Sequence, residues 1–493
     1  MTAAIPALNT PPTLPPPPYT SPGRRAPRWG IQMGLFQPRQ FAFYLFLVSI
    51  ILGAIYGLLV QLVEASISPV GWTLSWLLML LYIVPVALLI RWIDLYEREP
   101  RSMVLGAFMW GALVVPLFGG FGNDLWGVFI AKAFGGEFAS QWSAALTAPV
   151  IEEIYKYLGI VVLYLIARLE VDDLIDGFVY GALIGLGFAV AEDIFYFMFH
   201  FGGSVAAVIE GFFVRVIASG LYGHVTFTGI AGIGFAYFVS RRADKPFSRR
   251  FAVAAGLLLL AMLAHFIWNS PLFNDLPILL YGVVKGAPFL IGLIVLLYLA
   301  RRRENVALTE VLTPELSHGG VLGTELALLR DRKARREGAH RVGAAGGPLA
   351  EQAWKQLQRE QVKLALVSSA VDSADDARAI QQRGVVQGMR ARLLQFPNVA
   401  AALDLTPEAA AVLMQTGALY AAPFAASKVV APSGAWAWTT PNQHDPRRLV
   451  LAARLPLQVM ETRDDWLLVR SQSGWYGWTG APYLVDTRIA ANR

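Results

Sequence analysis

The chain has 493 residues, 55% hydrophobic and 15% charged, with a mean hydropathy of +0.49 and a formal net charge of +6. That balance is too apolar for a soluble protein of this size and points to the bilayer; the basic residues gather at the ends of apolar runs, which argues for membrane orientation and against nucleic acid as a partner. There is no cysteine, so disulfides, thiol nucleophiles and cysteine-ligated zinc are excluded.

Residues 1–40 are rich in proline, including Pro15 to Pro18, and read as an extended, disordered cytoplasmic tail. They lack the apolar core and cleavage site of a removable signal peptide, so the first apolar run is expected to insert as an anchor. That run is Phe41 to Val63. Others follow near 72–93, 103–121, 144–167, 177–199, 216–239, 251–269 and 278–300. Each is close to the ~20 residues that span a hydrocarbon core. The expected fold is an α-helical polytopic membrane domain over 41–303, with about eight transmembrane helices.

Loop charges give the orientation. Arg91, Arg98 and Arg101 follow the second run, Arg168 the fourth, Arg241, Arg242, Lys245, Arg249 and Arg250 the sixth, and Arg301 to Arg303 the eighth. The alternate loops hold Lys132 and little else that is basic. Positive-inside bias then puts both termini in the cytoplasm and the chain in the plasma membrane, with the bilayer as its first partner.

Residues 304–427 read as amphipathic cytoplasmic helices, such as Leu322 to Arg336 and Leu349 to Val367, broken at Gly343 to Pro348. The basic stretch Arg330 to Arg336 is a solvated face, with a lipid-headgroup contact as the sharper reading. From 428 to 487 the pattern turns to short β-rich runs: Leu449 to Leu451, Leu457 to Met460 and Trp466 to Val469. With Gly474 to Gly480 and Tyr483–Leu484, this stretch resembles a small bacterial SH3-like β-barrel. The resemblance implies a peptide or protein ligand if its aromatics are exposed, and a plain core if they are not.

The chemistry lies inside the apolar runs. The fourth contains Glu152, Glu153 and Lys156, and an ionised group at such depth costs about 2.5–3.5 kcal/mol on insertion scales. Glu152 and Lys156 share a helix face at i,i+4, while Glu153 points about 100° away, so one ion pair leaves a carboxylate over. The fifth run sets Phe188, Glu192 and Tyr196 on one face, with Asp193 beside Glu192. The sixth contains His224; the seventh ends with His265 and Asn269 at i,i+4. A lone histidine in an apolar helix is usually a satisfied core residue, and a buried ion pair can simply lock two helices. Four helices that each carry an acid or a histidine argue for one convergent site.

Taken together, Glu152-Glu153 with Lys156, Phe188 with Glu192, His224, and His265 with Asn269 resemble the PrsW family of intramembrane proteases, and more distantly the CAAX prenyl-endopeptidase and bacteriocin-immunity superfamily. The loop from Asp94 to Pro100 resembles that family's cytoplasmic loop, and the likeness covers roughly residues 90–300. Asp193 stands where the family more often has asparagine. The resemblance implies hydrolysis of a peptide bond in a membrane-anchored protein substrate.

Two chemistries are open. In one, Glu152 or Glu153 is the base for an attacking water, Lys156 holds the carboxylate pair, and His265 with Asn269 binds the oxyanion. In the other, Glu192, His224 and His265 hold a divalent metal such as zinc, with an open position for water. A transporter or proton relay would use the same residue types, but it calls for polar groups along the whole membrane depth. Here Glu152, Glu192, His224 and His265 fall ~15, ~10, ~12 and ~6 Å from the outer helix ends at 1.5 Å per residue. That places the expected cavity in the outer half of the bilayer.

Overall fold

The computed structural model describes residues 33–487 apart from 95–97, 219–222, 274, 372–373, 375, 422–424, 439, 444–447 and 472–475. The expected N-terminal tail up to residue 32, the Leu95–Glu97 part of the loop and the Gly474–Trp475 pair lie outside the described residues. The described residues divide into two compact units, up to Glu304 and from Asn305 on.

The first unit is helical, as apolar segments in lipid must be, because every backbone group has to find its partner within the segment. Its helices are α1 (Phe41–Ile67), α2 (Pro69–Ile93), α3 (Arg101–Met109), α4 (Val115–Phe134), α5 (Gly136–Ile166), α6 (Leu174–Phe195), α7 (Val205–Phe212), α8 (His224–Ser240), α9 (Phe247–Asn269) and the part of α10 (Ile278–Leu312) up to Glu304. Three single π-helical turns interrupt or end them, at Trp110–Val114, Tyr196–His200 and Phe213–Ile217. Such turns concentrate near functional sites. Helix starts are explicit in the sequence. Ser68 caps α2 by accepting from Gly71 N at 3.1 Å, with Pro69 in the first turn. Asp173 and Asp176 form a reciprocal capping box at the start of α6.

Among the described residues, six helical stretches are long and apolar enough to cross a membrane: Phe41–Ile67, Pro69–Ile93, Arg101–Phe134, Leu174–His200, Phe247–Asn269 and Leu280–Leu316. Six rather than about eight therefore satisfy length and composition. Of the other two, α5 carries Glu152, Glu153 and Lys156 in its middle, and α8 is 17 residues long. The run expected as one helix over 216–239 is broken. The π turn Phe213–Ile217 ends two residues into it, and Gly223, with φ −85° and ψ −143°, caps a helix that starts only at His224. His224 is thus a helix's first residue and not eight residues inside one.

Helix α6 is the buried centre of the unit, and glycines bring its neighbours close. A Cβ on Gly177, Gly181 or Gly185 would lie 2.3 Å from the carbonyl oxygens of Gly232, Thr228 and His224 on α8. A stripe of small residues every fourth position lets two backbones meet in this way. The contact sets the start of α8, and with it His224, against the turn of α6 before Glu192.

The second unit continues with α11 (Gly323–Leu329), α12 (Arg332–Ala370), α13 (Ala377–Leu393), α14 (Val399–Ala402) and α15 (Pro407–Ala421). The helix expected over Leu322 to Arg336 is divided, because Asp331 ends one segment and caps the next through Ala334 N at 2.9 Å. The expected break at Gly343 to Pro348 is a kink inside α12, at Gly347 with φ 85°. Seven strands follow: β1 (Lys428–Val430), β2 (Ala435–Trp438), β3 (Arg448–Leu451), β4 (Pro456–Arg463), β5 (Trp466–Ser471), β6 (Tyr476–Gly480) and β7 (Leu484–Asp486). They form one antiparallel half-barrel in the order β3-β2-β6-β5-β4-β1-β7, with a bulge between Val459 and Glu461. Leu457, Leu467, Val469 and Leu484 fill one face, and Leu468, Tyr476 and Trp478 on the other pack against Ala377 and Ile380 of α13. Most described aromatics here are core; Trp436 and Tyr483 are exposed.

Candidate active site

Lys156 organises the polar centre of the first unit. Its Nζ donates to Glu153 Oε1 at 2.9 Å, to Glu152 Oε2 at 3.3 Å and to His224 Nδ1 at 2.9 Å, and lies 4.0 Å from the centre of the Phe188 ring. One ammonium therefore serves both carboxylates, although sequence geometry allots it only Glu152. All three α5 side chains are buried.

Glu153 is saturated. Besides Lys156, it accepts from Thr228 Oγ1 at 3.2 Å and faces His265 Nδ1 at 3.0 Å. Glu152 is held differently. Asn123 of α4 donates to its Oε1 at 3.0 Å, while its Oε2 stands 3.9 Å from His265 Nε2, too far for a hydrogen bond. Glu192 Oε2 meets His224 Nε2 at 2.9 Å and accepts from Arg215 Nη2 at 2.7 Å. Arg215 Nε donates to Asp193 at 2.6 Å, and its guanidinium lies 3.7 Å from the centre of the Tyr196 ring. The Asp193 that departs from the expected asparagine is thus the second arm of an arginine clamp.

The metal set expected from sequence was Glu192, His224 and His265. The donors that converge are instead Glu152, His224 and His265, whose ligand atoms all lie within 4.8 Å of one another. Glu192 accepts from Arg215 and meets His224 at Nε2, the ring nitrogen opposite the one that faces Lys156. The other expected pairing also changes. His265 and Asn269 share a face, but Asn269 sits in the last turn of α9 and donates 3.3 Å to Ala144 O on α5. It fastens two helices where an oxyanion donor was expected.

Hydrogen bonding fixes the histidine tautomers. A neutral His265 carries its proton on Nδ1 toward Glu153, and a neutral His224 on Nε2 toward Glu192. The nitrogens without protons then turn toward the Glu152–Lys156 side, where His224 Nδ1 accepts from Lys156 Nζ at 2.9 Å and His265 Nε2 stands 3.9 Å from Glu152 Oε2. A carboxylate behind each ring is the usual support for a metal-binding imidazole. Formal charge points the same way. Glu152, Glu153, Glu192 and Asp193 carry four negative charges against the two positive charges of Lys156 and Arg215.

A cavity of about 150 Å³ reaches this cluster at His224, Arg215 and Asp193, with Tyr82, Trp268 and Tyr281 among its walls. Sequence reasoning missed Arg215, Asn123 and Lys285. Lys285 is buried and donates to Ser270 O at 2.6 Å and Trp268 O at 3.3 Å, so it anchors the end of the helix that carries His265.

Residues 99–300 match the profile of a family described as PrsW family intramembrane metalloprotease. The resemblance carried by the motifs extends over that stretch. The chain is also similar to Protease PrsW of Geobacillus kaustophilus (strain HTA426), with 32% identity over 106 residues, 21% of this chain and 44% of that protein. It thus spans less than half the length of this curated relative. No solved structure matches.

Proposed function

We propose that the first unit is an intramembrane endopeptidase that hydrolyses membrane-anchored protein substrates at the Glu152, His224 and His265 centre. The observation that carries this reading is the convergence of Glu152, His224 and His265, with a carboxylate behind each ring, next to a cavity that reaches His224.

The donor set fits a divalent ion. One carboxylate and two neutral imidazoles are common zinc ligands. Glu152, His224 and His265 would hold it. Bound there, it would supply Lewis-acid polarisation of the scissile carbonyl and lower the pKa of the attacking water. The chain's own residues do the rest. Glu153 and Glu192 accept the outer ring protons and hold both imidazoles in one tautomer. Lys156 binds both α5 carboxylates and holds them in place. Arg215, on the cavity wall, holds Glu192.

Loop charges support eight spans with both termini inside. The three charges of α5 neutralise one another in part, and the 17 residues of α8 reach ~26 Å. The cavity then opens on the outer side, and cleavage falls in the outer half of the substrate's span. The C-terminal strands fit an SH3-like module, with exposed Trp436 and Tyr483 available to a peptide.

The test is metal analysis of the purified chain together with cleavage of single-span substrates. Stoichiometric zinc and cleavage lost in His265→Ala are expected. Unchanged cleavage in both Glu152→Gln and His265→Ala would sink the assignment. Ala189→Cys and Ala218→Cys on the cavity wall should react with an impermeant thiol reagent from outside the cell; reaction only from the cytoplasm would reverse the orientation.

A further inference from the structure

We infer that Asn123 of α4 is a positioning residue for Glu152, an inference that rests on the catalytic reading above. Helix α4 comes against α5 through two glycines. A Cβ on Gly122 would lie 2.5 Å from Ile151 Cγ2, and one on Gly119 would lie 3.6 Å from Glu152 Cγ. Asn123 is one turn beyond Gly119, on the same face. The close approach puts a short side chain within reach of the carboxylate, and its Nδ2 donates to Glu152 Oε1 at 3.0 Å.

The amide's other end makes the case. Asn123 Oδ1 is buried and has no hydrogen-bond partner among the described residues. Turning the amide over would press that oxygen against a carboxylate oxygen, so the observed orientation and its orphan acceptor are imposed by Glu152. A contact that only packed two helices would not keep a buried acceptor unsatisfied. The N–H itself is the useful group. It binds one oxygen of Glu152 and fixes the carboxylate plane, leaving Oε2 as the oxygen turned toward His265 and the ion site. Glu153, saturated by Lys156, Thr228 and His265, needs no such help.

The decisive variant is Asn123→Leu, which removes the donor and the orphan acceptor together at similar volume. Positioning predicts a purified full-length chain with a thermal midpoint at or above that of the native chain. Its zinc affinity, measured by competition with a chelating dye, should fall 10–100-fold, as for lost outer-shell partners of metal ligands. On a quenched single-span peptide kcat should fall while KM stays within twofold. Asn123→Gln, which keeps an N–H donor, should recover part of both losses. Native-like zinc affinity and kcat in Asn123→Leu would overturn the inference while the catalytic reading stands. If the native chain binds no zinc but cleaves, the metal assignment fails and the kcat–KM split alone decides on Asn123. If the native chain neither binds zinc nor cleaves, the catalytic reading falls and this inference falls with it.

Discussion

Both units bury charge, and they do so in opposite ways. In the second unit Arg383 grips Glu315 through Nε at 2.7 Å and Nη2 at 3.1 Å, and Arg390 grips Glu325 through Nε at 2.7 Å and Nη2 at 2.6 Å. Each is a bidentate pair of one cation and one anion, with spare acceptors filled by Ser368, Gln361 and Leu322 N. In the first unit four carboxylates face two cations and two histidines, and one carboxylate oxygen and two ring nitrogens converge without forming a neutral set. Balanced pairs with saturated partners are what a fold needs to tie helices together. An unbalanced set asks for something from outside the chain. The comparison separates a structural ion pair from a candidate reaction centre more sharply than burial does, since both kinds are buried.

Single replacements should break this comparison in graded ways. The largest effect is expected for Glu152→Gln, with proposed cleavage falling by on the order of 10³ while insertion and thermal midpoint hold. Glu325→Gln should leave cleavage untouched and lower the midpoint. Next come the cations. Lys156→Met and Arg390→Met should each lose about 3–5 kcal/mol, read by thermal unfolding in detergent, because each strands a buried carboxylate. Replacing the whole pair, Arg390→Met with Glu325→Leu, should restore stability with cleavage intact. Lys156→Met with Glu153→Gln should not restore cleavage. If it does, the two regions are alike and the distinction fails. Arg215→Lys should cost cleavage roughly tenfold, since a lysine cannot hold Glu192 and Asp193 at once; an unchanged rate would remove the clamp from the proposal.

The smallest effect concerns pH. Burial pushes the Glu170 carboxyl, in the loop between α5 and α6, up to about 7 against the backbone N–H of Met33. Burial and the neighbouring charge of Asp173 push Asp94 up to about 7 as well. Both hold protons in the folded chain that the unfolded chain has already released. Their contribution is complete below about pH 4 and is lost as pH rises toward 7. The thermal midpoint of the first unit should therefore decline across that window, and Glu170→Gln should flatten the decline. A midpoint that rises over the same window would contradict this.

Much of the site was legible because charged and imidazole residues inside apolar runs stand out against lipid cost. Glu152, Glu153, Lys156, Glu192, His224 and His265 were all marked that way, and the structure draws all six into one cluster. What failed was partner choice. Periodicity places side chains on faces but does not say which atoms meet, so Glu192 was grouped with His224 and His265, whereas the donors that converge are Glu152, His224 and His265. Asn269 was given the site on spacing alone, whereas its place in a final helical turn turns it to a backbone carbonyl. Arg215 was invisible because it sits at the edge of an apolar run, where arginine reads as an orientation signal. Asn123 carries no charge and no motif; the one hint was its place behind Gly119 and Gly122. The six apolar spans followed from hydropathy directly. The short α8 did not, because a run of apolar residues conceals the backbone break at Gly223.

The glycine stripe of α6 has a mechanical corollary. Gly177, Gly181 and Gly185 each abut a carbonyl of α8, one per turn over three turns. Two rods meshed at that pitch cannot slip past each other by part of a turn, since every tooth would strike the next oxygen. Glu192 and His224 therefore move as one block, and their spacing is insulated from whatever the bilayer does to the outer helices. Any displacement of the wall falls to parts not meshed in this way, among them Val205–Ile217, short and bearing Arg215 on its π turn. A methyl group added at Gly181 would act like grit in a gear: it would leave the chemistry's atoms in place on their helices and spoil the distance between them.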